Sequence, residues 1–420
     1  MGREPRLRAG GVRPAAWRPR VLQVGKFYPP HYGGIETHLQ VLCGGLREHA
    51  DVRVLVSSDD RSHSVEVIDD VPVERLATPF TLAGAPINPG MARRIREAAA
   101  DVVHLHLPNP AAVVAYLASG HRGRLVVSYH SDVVRQRLLD AAFRPILWRL
   151  LDRADAIIAA TPDYLRSSPT LARYRDRCHV IPYGIPLGAF ERRDEAVAAL
   201  RERFGERLVL GVGRLVYYKG FEHLIQAMRQ VDGHLVIVGN GPLRGALQER
   251  ARAAGVADRV TLLGGVEDAV PFYHAAQVFV LPSVARSEAF GIVQIEAMAC
   301  GRPVVNTSLD SGVPYVSRSG ESGLTVPPAD PGALARAVNL LLDDAALRDT
   351  LGRAARARVE REFSQEVMVQ RILGLYGGAA HPGSAPERSS DDAGHQPARA
   401  QRRRSLEVGA AGDAKGGPAR

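Results

Sequence analysis

No apolar run in this 420-residue chain approaches the ~20 residues needed to cross a bilayer. Cysteine is scarce. Cys43, Cys178 and Cys300 stand far apart with no Cys-x-x-Cys spacing, so neither a disulfide framework nor a zinc site is indicated, and a reducing cytosol fits best. The Arg-rich, Pro-containing start lacks the apolar centre of a secretory signal. Asp-x-Asp, a common carrier of a metal–diphosphate complex, occurs nowhere. A cytoplasmic protein without metal or resident cofactor is expected, with peripheral contact with the inner membrane face left open.

The formal charge of +9 invites a nucleic-acid reading until it is located. Residues 1–20 supply +5 of it and residues 377–420 supply +2, so the interior is nearly neutral. That argues against a nucleic-acid-binding face. A basic disordered leader over 1–20 is expected, as is a disordered tail over 377–420, where Gly, Ala, Ser, Pro and Arg dominate.

Between these ends, short apolar runs alternate with helical stretches. The first series has strands at Val21–Val24, Val52–Val56, Val102–Leu107, Leu125–Tyr129, Ala156–Ala160 and Cys178–Ile181, with a helix from Glu36 to His49. The second has strands at Leu208–Val212, His234–Val238, Val260–Leu263, Val278–Leu281, Pro303–Asn306 and Gly323–Val326. The fold class is therefore α/β: two tandem Rossmann-like doubly wound domains, over 21–190 and 191–363, facing across a cleft. The polar helix near Arg192–Arg203 reads as a linker. A last helix, 364–376, is expected to pack back on the first domain.

Ligands of such sheets bind beyond the carboxyl ends of the strands, and the chemistry-bearing residues fall there. Glu288 and Glu296 bracket Ala289-Phe290-Gly291-Ile292, the turn into a helix. A helix start suits a phosphate, and flanking carboxylates suit sugar hydroxyls, so the segment fits a sugar nucleotide. Two solvated glutamates on a surface helix would look the same in this segment alone. Gly213-Arg214 and Lys219-Gly220 follow the first strand of the second domain and place two cations beside a helix start. Val216 stands where a dinucleotide fingerprint would carry its third glycine. Asn240-Gly241 and Val266 follow the next two strands. In the first domain, Gly33-Gly34 would let backbone approach a phosphate, and His130 sits just past a strand end, able to donate to a sugar hydroxyl or manage a proton. Arg135–Arg153 interleaves arginines with Leu, Phe, Ile and Trp, which leaves open an anionic membrane surface or a helix packed on its own sheet.

Tyr32-Gly33-Gly34, Ser128-Tyr129-His130-Ser131-Asp132, Gly213-Arg214 with Lys219-Gly220, Gly239-Asn240-Gly241-Pro242, Ser287-Glu288-Ala289-Phe290-Gly291 with Glu296, and Gly301-Arg302-Pro303-Val304-Val305 occur in the order seen in retaining glycosyltransferase family 4. The chain resembles that family over roughly Val21–Tyr376. The resemblance implies the two-domain GT-B architecture and transfer of a hexosyl group from a nucleoside diphosphate sugar. It also implies that Arg214 and Lys219 hold the donor diphosphate with Gly34 approaching from the other domain. Glu296 would then take the ribose, Glu288 the hexose hydroxyls, Val266 the base, and His130 would lie beside the reacting sugar. Arg286-Ser287 and Asp310-Ser311-Gly312-Val313-Pro314 are similar to members adding mannosyl or rhamnosyl units in bacterial polysaccharide assembly, and favour a GDP-linked donor. Glycan or lipid-linked acceptors are expected partners. A sugar-nucleotide epimerase of the same architecture and a non-catalytic sugar-nucleotide sensor remain alternatives.

Overall fold

The computed structural model describes residues 18–31, 33–82, 84–131 and 137–378, with only the backbone of 137–141. Tyr32, Asp132, Arg135, most of the leader and nearly all of the tail lie outside the described residues.

The first domain carries strands β1 (Arg20–Val24), β2 (Asp51–Ser57), β3 (Ser64–Ile68), β4 (Val71–Leu76), β5 (Phe80–Leu82), β6 (Ala85–Ile87), β7 (Val102–Leu107), β8 (Arg124–Tyr129), β9 (Ala156–Ala159) and β10 (Cys178–Val180). Eight of them form one sheet in the order β10-β9-β8-β7-β1-β2-β4-β3. Its pairs are parallel except for the edge hairpin β3–β4. Helices cover both faces, which is why β7 and β9 are buried at every position. The second domain has β11 (Leu208–Val212), β12 (His234–Val238), β13 (Val260–Gly264), β14 (Val278–Val280), β15 (Val304–Thr307) and β16 (Gly323–Val326), all parallel, in the order β13-β12-β11-β14-β15-β16. Strand order reverses beside β1 in one sheet and beside β11 in the other. Those switch points open a crevice lined by the loops after β1, β11 and β14.

The chain crosses between the domains twice, near 181–190 and 363–365, and the crossings are bonded to each other. Ile185 N donates to Phe363 O at 2.9 Å, and Gln365 N donates to Ile185 O at 2.9 Å. Ser364 Oγ accepts from Val367 N and so caps the helix Gln365–Tyr376. That helix lies on Gly34–Leu46 in the first domain and buries Met368, Val369, Ile372, Leu375 and Tyr376 with Leu39 and Leu42. Each such apolar side chain contributes on the order of 1.5–3 kcal/mol on burial.

One expectation needs correction. The helix Asp194–Phe204 is no linker: Val197 and Phe204 are buried in the second domain's core, and the helix packs on Val270–Ala275. Its polar exposed face hides a narrow apolar stripe. In the basic helix Arg137–Arg153, Leu150 and Leu151 are fully buried while Phe143, Leu147 and Trp148 pack against the first domain's core and the helix against Pro110–Ser119, leaving Ile146 as its exposed large apolar side chain among the described residues. Of the two readings left open for this helix, packing within the protein accounts for its described apolar side chains. No helix among the described residues is long and apolar enough to cross a membrane.

Candidate active site

Two helices begin at the crevice from opposite sides. Gly34–Leu46 starts after Gly33, and Ile292–Ala299 starts after Gly291; neither start has a side-chain cap. Gly34 is exposed, and a Cβ placed on it would lie 3.8 Å from Ile292 Cδ1. The positive ends of both helix dipoles thus meet across the gap with their first N–H groups uncapped by side chains. Gly291 has φ +74°, and a Cβ there would come 2.6 Å from Leu281 Cδ2. Only glycine fits that turn.

Glu288 lies just before this helix, in a bonded turn with Ala285. Its Oε2 meets Lys219 Nζ at 2.6 Å and accepts from Ser283 Oγ at 3.2 Å. Both side chains of the ion pair are only 10% exposed. Burial works to lower the Lys219 ammonium, but the charge and hydrogen bond of Glu288 prevail and hold it above the ordinary lysine value. Lys219 is therefore a fixed cation at the mouth of the crevice, and Arg214 stands exposed in the same loop. Glu296, one turn into the helix, accepts from Tyr273 Oη at 2.5 Å. Desolvation raises its carboxyl above the ordinary range against the opposing effects of Tyr273 and Lys219. One oxygen is spent on Tyr273, which orients the group.

The loops after β12 and β13 close the same end. Leu215 N donates to Asn240 O at 2.8 Å, and a Cβ on Gly241 would sit 2.4 Å from Leu215 O, so that loop packs backbone against backbone. Asn240 is exposed and Val266 half-buried. Ala289 O accepts from Gly312 N at 2.8 Å, and the Phe290 ring packs on Tyr183, 4.6 Å between centroids. Gly34 thus faces Ile292 across the gap, with Gly33 and Gly291 at the two helix starts and the Glu288–Lys219 pair just before the second; Phe290 is buried beneath it on Tyr183, and Asn240, Gly241 and Val266 stand at the ends of neighbouring strands.

His130 has a different setting from the one expected. It is 5% exposed, and both ring nitrogens are occupied: Nδ1 by Tyr183 Oη at 2.7 Å, Nε2 by His106 Nδ1 at 3.0 Å. His106 Nε2 meets Gln23 Oε1 at 2.9 Å, Gln23 Nε2 meets Tyr376 Oη at 2.8 Å, and Tyr376 Oη meets His104 Nδ1 at 2.8 Å. His104 Nε2 ends the row on Ser128 Oγ at 2.8 Å. No motif points to Gln23, His104, His106, Tyr183 or Tyr376. The available signal is Val-Val-His-Leu-His-Leu at 102–107, where the period of two places both histidines on one face of a buried strand. His38, His106 and His130 could in principle ligate a metal, with ligand atoms within 4.8 Å of one another. In this arrangement His106 Nδ1 and His130 Nε2 are spent on each other.

Paired doubly wound domains with a crevice between their strand ends are the GT-B architecture of glycosyltransferases. The Anabaena protein HepE, solved in complex with UDP, superposes with a TM-score of 0.72 at 21% identity over 86% of this chain and 100% of that one. Residues 32–188 match the family model described as Glycosyltransferase Family 4, and 192–358 match that described as Glycosyl transferases group 1. The D-rhamnosyltransferase WbpZ of Pseudomonas aeruginosa is 35% identical over 82% of this chain and 92% of its own length. A GDP-mannose-dependent alpha-(1-6)-phosphatidylinositol monomannoside mannosyltransferase of Mycobacterium tuberculosis is 32% identical over 84% and 97%. This chain belongs to glycosyltransferase family 4 and is a glycosyltransferase that uses a nucleotide sugar.

Two measurements follow from the buried titratable groups. Burial lowers His38 and His104 to about 3, and lowers His106 and His130 well below the ordinary value. Unfolded histidine titrates at about 6.5, so below that pH the unfolded chain binds more protons and stability falls as pH drops. The four rings supply a slope of about four protons, on the order of 5 kcal/mol per pH unit near pH 5. In denaturant titrations His38→Leu is expected to reduce that slope by about one proton; an unchanged slope would contradict it. Glu288→Ala leaves Lys219 buried without its counter-ion and is expected to cost about 3 kcal/mol, with Glu288→Gln retaining part of the loss. Equal thermal stability of parent and alanine variant would refute this.

Proposed function

We propose that the chain moves a mannosyl or rhamnosyl group from a GDP-linked donor to a hydroxyl of a glycan or lipid-linked glycan, with retention at the anomeric carbon and without a metal. The observation that carries the reading is the meeting of two uncapped helix starts beside the Lys219–Glu288 pair. A diphosphate seated there would take backbone N–H groups from Gly34 and from the Ile292 helix, with Lys219 and Arg214 as counter-ions. Glu288 would accept from hexose hydroxyls, the free oxygen of Glu296 from the ribose, and the backbone at Val266 would face the base. Names of relatives that act with GDP-mannose or transfer D-rhamnose support the donor class.

In the step itself, the bond from the anomeric carbon to the phosphate oxygen breaks, and negative charge grows on the leaving diphosphate. The cations and helix dipoles already face that charge, so they stabilise the transition state more than the ground state. The acceptor hydroxyl approaches on the same face, forms the new bond to the anomeric carbon and passes its proton to the departing phosphate.

The test is a panel of nucleotide sugars with a mannan-type acceptor in EDTA. Transfer from GDP-mannose or GDP-rhamnose, with the anomeric configuration kept and turnover lowered at least a hundredfold in Glu288→Gln, is the expected result. Preference for a UDP donor, dependence on a divalent ion, inversion, or conversion of donor without acceptor would each contradict a named part of the reading. Peripheral membrane contact belongs to the same proposal. Val65, Val67, Phe80 and Leu82 are each more than half exposed and supply its apolar side chains. Co-sedimentation with anionic vesicles at low salt, weakened by joint Phe80→Ser and Leu82→Ser replacement, is expected; no sedimentation of the parent would remove this part.

A further inference from the structure

The row of hydrogen bonds behind His130 has a direction. Gln23 Oε1 has only lone pairs to offer, so His106 must donate to it from Nε2. A neutral His106 is then an acceptor at Nδ1, and His130 must donate to it from Nε2. His130 is in turn left with a bare Nδ1, to which Tyr183 donates its hydroxyl proton. Burial keeps all these rings neutral, so no second proton relaxes the sequence of assignments. Its origin is the orientation of the Gln23 amide, whose Nε2 donates to Tyr376 Oη. Rotating that amide by half a turn would reverse every proton from Gln23 to Tyr183 and turn His130 Nδ1 into a donor.

The two tyrosines come from the first crossing between the domains and from the helix that follows the second. Tyr183 lies in the first crossing and packs its ring against His38, 4.4 Å between centroids, and against Phe290. Tyr376 ends the helix that follows the second crossing. Gln23 and His104 are register partners on neighbouring strands, as are His106 and Ser128, so the row is fixed to the rigid centre of the sheet.

We propose that Gln23, His106 and Tyr376 are positioning residues that hold His130 in the tautomer with Nε2 protonated and Nδ1 bare. A substrate hydroxyl that takes the place of Tyr183 therefore meets an acceptor, not a donor. This rests on the family resemblance, by which His130 lies beside the transferred sugar, and requires that sugar to displace the Tyr183 hydroxyl that now occupies Nδ1. Tyr376→Phe removes the hydroxyl that the Gln23 amide donates to, and Gln23→Leu removes the amide itself.

The test joins a spectrum to a double-mutant cycle on the full chain. In ¹⁵N-labelled protein the His130 ring, identified by its loss in His130→Ala, is expected as the Nε2–H tautomer, with both tautomers populated in Tyr376→Phe. Turnover is expected to fall about tenfold in Tyr376→Phe and in Gln23→Leu with the donor KM within about twofold, about the effect of one misdirected hydrogen bond to the reacting sugar. Both losses are expected to vanish in the His130→Ala background. An Nδ1–H tautomer in the parent, or losses that simply add to that of His130→Ala, would overturn the proposal while leaving the reading of the site intact. Undiminished turnover in His130→Ala would overturn the placement of His130 at the sugar and the proposal with it, whereas loss of transfer from every GDP-linked donor in the parent would overturn the proposed function. Retention of one equivalent of Zn²⁺ through dialysis would replace the hydrogen-bonded row with a metal site of His38, His106 and His130. Should one variant not fold, the other alone completes the cycle.

Discussion

An ammonium and a carboxylate held 2.6 Å apart and almost wholly out of water constrain the rest of the crevice. Neither Lys219 nor Glu288 can leave its place without stranding the other, so the loops after β11 and β14 are held as a unit. Glycines let them close on each other. A Cβ on Gly213 would lie 3.2 Å from Lys219 Nζ, and one on Gly220 would come 2.1 Å from Pro282 O. The result is a charged surface organised before any ligand arrives. Catalysis by electrostatic stabilisation needs that condition, since reorganising dipoles at the moment of reaction would consume the gain.

The second domain does not complete the gap alone. Its helix at Ile292 meets Gly34 of the first domain, and Phe290 reaches through Tyr183 to His38 and His130. Both crossings of the chain border this contact, and their backbone bonds at Ile185, Phe363 and Gln365 keep them in register. The last helix is consequently part of the first domain's core although it follows the second in sequence. Tyr376 carries that arrangement inward to Gln23 and His104.

Much of the scaffold was legible because parallel strands buried on both faces are predominantly apolar. The expected bounds at Val102–Leu107, Leu208–Val212, His234–Val238 and Gly323–Val326 coincide with the observed strands. The edge hairpin at Ser64–Ile68 and Val71–Leu76 escaped notice because Val65 and Val67 face solvent and give no core signal. Asp194–Phe204 read as a linker because Val197 and Phe204 are few among charged neighbours. The glutamate block could be read from its glycine turn and helix pattern, whereas the salt link of Glu288 to Lys219 spans 69 positions and has no local trace. His130 was legible as a strand-end residue. Its partners were not, because they are drawn together from two other strands, the first crossing and the end of the last helix.

The most direct measurement is a crystal structure of the full chain with a bound nucleoside diphosphate. The account expects the β-phosphate within hydrogen-bond distance of Lys219 Nζ and the Gly34 backbone N–H, with a ribose hydroxyl on Glu296. A diphosphate seated elsewhere, with the Gly34 and Ile292 helix starts bare, would contradict it.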